Sequence, residues 1–226
     1  MAKNVKPRPY NSPRRREQAA ATRAAILEAA QRLFERGGYP ATTMAAIAAE
    51  ARVALKTVYL AFETKSGVLR ALWNQLLRGD RADEPVAQQQ WYREAVEDPD
   101  PGRQLRLNAR NSRERKVHIG SLLAVIRSAA LVDPEIAALW NRIETDYHAN
   151  QRVIVESLAD KQALRSGLDV DRATDILWAV NHPLLWQLLV GDRGWTPETY
   201  EQWTGDVACQ QLLERACDHD AARDAP

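Results

Sequence analysis

The residue types and spacings that most directly imply chemistry lie between Thr42 and Leu69, in the stretch TTMAAIAAEARVALKTVYLAFETKSGVL. Met44 to Ala51 is alanine-rich and puts Ile47 and Ala51 four apart on one helical face, with Thr42 or Thr43 just ahead to cap its free N–H groups. Arg52 to Leu55 carries a single apolar anchor, Val53. Lys56 then opens a second segment in which Val58 and Phe62 share a face while Thr57 and Tyr59 point elsewhere. Two short helices, the second apolar within and polar without, match a helix-turn-helix whose second helix enters the DNA major groove. The candidate DNA contacts are Thr42, Thr43, Leu55, Lys56, Thr57, Tyr59 and Lys65. The plain alternative is a helical hairpin that touches no nucleic acid.

From about Arg23 to Trp73 the chain resembles the TetR family of bacterial transcriptional regulators. That family carries a pattern like T-I-x-x-I-A-x-x-A-G-V-S-x-x-T-x-Y-x-x-F-x-x-K-x-x-L. Matching it are Thr43, Ile47, Ala48, Ala51, Val53, Thr57, Tyr59, Phe62, Lys65 and, approximately, Val68 and Leu69. The resemblance implies DNA contacts at Thr43, Lys56, Thr57, Tyr59 and Lys65. It also implies a dimer formed by the last two long helices. The chain departs from the pattern at Arg52, where the family has glycine, at Ala54, where it has the serine that caps the recognition helix, and at Leu60-Ala61, where an aromatic or histidine pair is common. Losing a left-handed glycine and a cap costs about 1 kcal/mol each, so a less sharply defined turn is expected.

The elements that must position these residues are helical. Ala, Leu, Arg, Glu and Gln abound and no alternating β-branched run occurs, so the expected class is all-α. A basic arm, residues 1–16, is expected to be disordered when free, either as a plain solvated tail or as an arm that lies along a DNA backbone or in a minor groove. A first helix, Glu17 to Arg36, sets Ile26, Ala30, Leu33 and Phe34 on one stripe and stops at Gly37-Gly38. Its stripe, with Ile47, Val53, Val58 and Phe62, makes a small three-helix core over residues 17–63. A linking helix follows over 64–79, capped by Thr64. Residues 1–80 hold 14 Lys and Arg against 6 Asp and Glu, a balance of +8, whereas residues 81–226 balance at −7. A basic head on an acidic body suits phosphate binding by the head alone.

Residues 80–217 form the expected ligand-binding and dimerisation domain, followed by a disordered tail, 218–226. After a proline-broken linker, with a short helix around Trp91 to Glu97, helical patterns are predicted over Arg103–Lys116, His118–Leu131, Glu135 to about Leu164 and Thr196 to about Ala216. Gly167 is expected to end the third of these. Asp171 to Val190 is apolar on nearly every face, which suits burial against a partner, so a homodimer through 171–190 and 196–216 is expected. Pro183 should kink that helix or end its first half. An effector pocket lined by Trp73, Trp140, Tyr147 and Trp178, with Asn111, His118 or His182 as polar anchors, would suit an apolar or aromatic small molecule. The alternative for each is an ordinary core or surface role.

No glycine-rich phosphate loop, G-x-S-x-G, zinc pattern or HExxH occurs, and the histidines lack ligand spacing, so neither an enzyme, a metal site nor a cofactor is expected. No apolar run reaches the length of a membrane span and the basic N-terminus has no apolar core behind it, so a cytoplasmic protein is expected. Cys209 and Cys217 sit about 12 Å apart along one predicted helix, too far to bridge, and read as small buried apolar groups. Together these readings describe a repressor that binds a palindromic operator in double-stranded DNA as a homodimer and is released by a small apolar or aromatic effector. The other reading is a helical carrier or sequestering protein without specific DNA binding.

Overall fold

The computed structural model describes residues 13–78 and 86–214. Among these every regular element is helical, and the chain divides into two compact units, Met1–Leu72 and Trp73–Pro226. The division falls inside a helix rather than at either end of it.

In the N-terminal unit, α1 (Pro13–Ala41) breaks at Gly38, whose φ of 76° is left-handed. The arm expected to be disordered is therefore helical from Pro13 to Arg16, because a proline with its fixed φ and missing N–H fits the first turn of a helix. The remainder of the arm, residues 1–12, lies outside the described residues. Helix α2 (Met44–Glu50) is capped by Thr43, whose hydroxyl accepts the Ala46 N–H. Helix α3 (Leu55–Phe62) starts at Ala54, which offers no side-chain cap. Helix α4 (Lys65–Arg78) is capped by Thr64, whose Oγ1 accepts the Gly67 N–H. Ile26, Phe34, Ile47, Val58 and Phe62 are buried as the apolar stripes predict, and Leu27, Tyr39, Met44, Val68 and Leu69 join them; Val53 is only half-buried. Polar ties bind the helices of this unit. Arg23 donates to Ala61 O and lies over the Phe62 ring, fastening α1 to α3, while Arg32 pairs with Glu50, fastening α1 to α2.

The C-terminal unit is built on α5 (Gln90–Glu97), α6 (Pro101–Ala130), α7 (Pro134–Asp160), α8 (Val170–Val180), α9 (Pro183–Trp186) and α10 (Pro197–Leu212). Helix α6 packs on α7 and α10, α8 packs on the same two, and α5 lies against α6 and α7. Leu105, Ile154, Val155, Leu158, Ala173, Leu177, Cys209 and Leu212 form the centre of the core. Five of these six helices begin with a capping side chain, followed in four of them by proline: Asp100-Pro101, Asp133-Pro134, Asp169-Val170, His182-Pro183 and Thr196-Pro197.

Three sequence expectations need correction here. The predicted helices at Arg103–Lys116 and His118–Leu131 are one, since the polar run between them contains neither Gly nor Pro and nothing interrupts the hydrogen-bonded ladder. Helix α7 ends at Asp160, not near Leu164. Gln162, at φ 55°, takes the left-handed position, and Gly167 lies beyond it in the loop. At Pro183 the stretch 171–190 divides as that residue implies: the ring removes a donor, and α8 ends at Val180 before α9 starts again. Helix α5 is no linker: Tyr92 and Ala95 are buried in the core. Cys217 and the tail 218–226 lie outside the described residues.

Candidate functional site

The turn between α2 and α3 shows how the departures from the resembled pattern are accommodated. Arg52 adopts φ 55°, the left-handed conformation that a glycine takes without penalty. The Val53 N–H donates to Ala48 O and the Arg52 N–H to Ala49 O, the paired bonds of a Schellman cap. The turn therefore forms without its glycine. Between α3 and α4, Glu63 has φ 62° and ψ −51°, and the Thr64 N–H donates to Phe62 O at 2.6 Å across it. That is the rare, strained form of the γ-turn. An ideal Cβ on Gly67 would stand 2.2 Å from Phe62 O, so only glycine lets the first turn of α4 press so closely on the end of α3.

The burial of α3 is one-sided. Val58 and Phe62 face inward, while Leu55, Lys56, Tyr59 and Leu60 form a continuous outward face on which Tyr59 is 49% and Leu60 77% exposed. Of the sequence-predicted contacts, Leu55, Lys56 and Tyr59 share this face. Thr57 is half-buried beside it, and Thr43 is exposed at the start of α2. Two others are committed within the unit. Thr42 is buried and donates to Gly38 O, and Lys65 donates to Tyr39 O at 2.8 Å with its ammonium 4.2 Å over the Tyr39 ring. Leu60 is the residue that sequence reasoning passed over. Its helical register, four residues after Lys56 and five after Leu55, was the signal that could have found it.

In the C-terminal unit, three predicted pocket residues come together where α8 ends. Tyr147 on α7 donates to Asn181 O. Trp178 on α8 meets the His182 ring at 4.8 Å between centroids. His182 accepts the Leu184 N–H at Nδ1, which leaves its proton on Nε2 to donate to Glu144 Oε2 at 3.0 Å. At the centre lies a group the sequence did not flag, the buried Lys116 of α6. Its Nζ shares at most three N–H groups among four oxygens within hydrogen-bond distance, Ser112 Oγ, Asn181 O, Asn181 Oδ1 and Tyr200 OH. Burial, with no acidic group among those partners, holds its amine well below the ordinary lysine range. Burial likewise pushes the Tyr147 and Tyr200 phenols up, so both remain donors. Glu144 Oε1, Trp178 Nε1 and Asn181 Nδ2 are buried without a hydrogen-bond partner in the protein. The Asn111 amide donates to Trp91 O, His118 is exposed, Trp140 is half-buried and Trp73 is buried. Among the described residues no cluster of His, Cys, Asp and Glu could hold a metal, and no helix is long and apolar enough to cross a membrane.

A helix-turn-helix with an open outer face, followed by a larger helical unit, defines the class of regulators that pair a DNA-reading head with a helical body. Residues 26–72 match the model of the bacterial regulatory proteins, tetR family, and the chain carries the N-terminal domain of that family. Solved structures extend the likeness over most of the chain. The structure of the SmeT–triclosan complex is 19% identical over 91% of this chain and 98% of that one, with a TM-score of 0.67. NalD of Pseudomonas aeruginosa, the secondary repressor of the MexAB-OprM multidrug efflux pump, is 22% identical over 86% and 98%, with a TM-score of 0.65. A TetR transcription regulator from Haloarcula marismortui is 18% identical over 86% and 100%, with a TM-score of 0.64. At these identities the likeness is one of fold. No curated protein matches the chain at a significant level.

Proposed function

We propose that the protein is a ligand-responsive transcriptional regulator, a repressor that binds an inverted-repeat operator as a homodimer and lets go when a small apolar or aromatic effector enters its C-terminal unit. The observation that carries the DNA-binding part is the outward face of α3, presented by a helix-turn-helix within the basic stretch of residues 1–80. Thr43, Leu55, Lys56, Thr57 and Tyr59 supply its contacts. Lys65, fixed on Tyr39, braces α4 against α1 and places a positive charge at the start of α4. The buried and committed Thr42 shapes the start of α2. Dimerisation fits the half-buried Val180, Leu184, Leu185 and Leu189 and the exposed Leu188, more apolar surface than this region needs to show if it stands alone. The effector reading rests on Tyr147, Trp178 and His182 around the unpartnered polar atoms of Glu144, Trp178 and Asn181. An aromatic ligand with one polar group would satisfy those atoms, and the SmeT–triclosan complex is a precedent on the same fold.

Selecting bound fragments from genomic DNA and footprinting them tests this directly. The expected product is an inverted repeat with half-site centres about 34–36 Å apart, or a larger spacing on the same face of the duplex. Affinity should fall steeply with salt. A protein that stays monomeric at micromolar concentration, or retains no sequence above random DNA, would overturn the proposal. Triclosan serves as the first effector probe, read by quenching of tryptophan fluorescence.

A further inference from the structure

The outward face of α3 has a composition that says which bases it reads. The helix is LKTVYLAF. It contains no Arg, Asn, Gln, Asp or Glu, and of the side chains that read guanine, adenine or cytosine by charge or amide it has Lys56 alone. Of the four outward residues, only Lys56 carries a charge, and Leu55, Tyr59 and Leu60 are apolar or aromatic. Nothing in folding requires this, because Val58 and Phe62 already supply the buried face. Leu60 is the most exposed large apolar residue described in this unit. A basic unit, with 14 Lys and Arg against 6 Asp and Glu over residues 1–80, points to a polyanion rather than an apolar protein partner. In the major groove the one apolar feature of the base edges is the 5-methyl group of thymine.

We propose that α3 reads thymine methyl groups through Leu55 and Leu60, while Lys56 and Tyr59 fix its register. This rests on the DNA-binding reading above and specifies it. The two leucines are five residues apart, about 7.5 Å along the helix axis. At about 100° per residue they also stand about 140° apart around the helix, so they meet different base pairs. The half-site should contain two thymines, on either strand, and the face should tolerate a G·C pair at neither.

The test replaces thymine by uracil, which removes the methyl and leaves the Watson–Crick edge intact. Sequences are first selected from randomised duplexes by the full-length protein. Each thymine of the selected site is then changed singly to uracil and Kd is measured by fluorescence anisotropy. Removing one recognised methyl should weaken wild-type binding about four-fold per half-site, the worth of one buried methyl group. Leu60→Ala should abolish the penalty at one thymine and Leu55→Ala at the other. Both leucines are on the surface, and circular dichroism confirms that the variants fold. A selected site that is indifferent to uracil at every thymine overturns the inference and leaves DNA binding intact. Uracil penalties that persist unchanged in both leucine variants overturn it too, assigning the effect to DNA deformability. Failure to select any sequence overturns the DNA-binding reading and this inference together.

Discussion

Arg52 and Ala54 stand where the turn of the motif would favour other residues, and the structure shows what each contributes. Arg52 closes α2 at φ 55° through a side chain that gains nothing from that conformation. Arg52→Gly should therefore stabilise the N-terminal unit by about 1 kcal/mol. Ala54 begins α3 with its side chain unable to accept, so Ala54→Ser should add about 1 kcal/mol by capping it. Chemical denaturation of the two variants checks both, and unchanged midpoints would show that the turn has relaxed by other means. In the other unit Lys116 makes a prediction about pH. Its folded pKa lies below the unfolded one because burial disfavours the ammonium. The unfolded chain then binds an extra proton between the depressed folded value and about 10.4, so this group's contribution to stability rises with pH across that window and levels off above it. The wild type should gain on Lys116→Met as pH is raised from neutrality towards 10, at up to about 1.4 kcal/mol per pH unit within the window. Parallel stability curves for the two proteins would contradict the assignment.

The close approach of α4 to α3 depends on Gly67, whose Cβ would collide with the Phe62 carbonyl across a turn already strained at Glu63. Gly67→Ala should cost about 1–3 kcal/mol and weaken DNA binding by tilting α3. Gly191→Ala, at a glycine with open space where the Cβ would be, should stay within about 0.5 kcal/mol of wild type. Thermal melts of the pair decide it, and equal effects would refute the steric account. How much of this was legible in the sequence follows from what each element depends on. The stripe of α1, the cap at Thr43 and the inward pair Val58 and Phe62 are local periodicities, and the pattern revealed them. So are Asp133-Pro134 and Thr196-Pro197, and the same signal at Asp100-Pro101 was there to be read. Helix α6 was divided because its apolar stripe lapses through Arg110 to His118, although a helix ends at a breaker and not merely where its partner changes. The strain at Glu63 and the buried Lys116 were illegible for another reason. A lysine looks solvated in sequence, and only α6, α8 and α10 together create the acceptors Ser112, Asn181 and Tyr200 that take it inside. The same holds for the proposed effector site: the sequence placed Tyr147, Trp178 and His182 on a short list of aromatics and histidines, but it also placed Asn111 and His118 there. Only tertiary structure separates a residue that turns towards Asn181 from one that turns to Trp91 or to solvent.

Regulation by a ligand requires that the two units share a free energy, and helix α4 is the covalent element they share: it starts at Lys65 in the N-terminal unit and ends at Arg78 in the other. A helix transmits displacement along its axis because each turn is hydrogen-bonded to the next, so strain that reaches α4 would be felt at its first turn and in the α3 face that Gly67 helps to hold. The coupling has to be reciprocal. If effector lowers operator affinity by some factor, operator lowers effector affinity by that same factor, typically about 5- to 150-fold, whatever the structural route. An effector that binds the free and operator-bound forms equally shifts nothing, however tight it is. For an apolar effector identified by tryptophan quenching, the dissociation constant should therefore be weaker with saturating operator than without it, and the ratio should match the drop in operator affinity measured by anisotropy at saturating effector. Glu144→Gln supplies the internal control. It removes the charge beside His182 without touching the N-terminal unit, so it should change the effector's affinity while leaving operator binding without effector unaltered. Equal dissociation constants with and without operator would sink the mechanism even if both ligands bind, and unequal factors in the two directions would mean that the two titrations do not report one linked equilibrium.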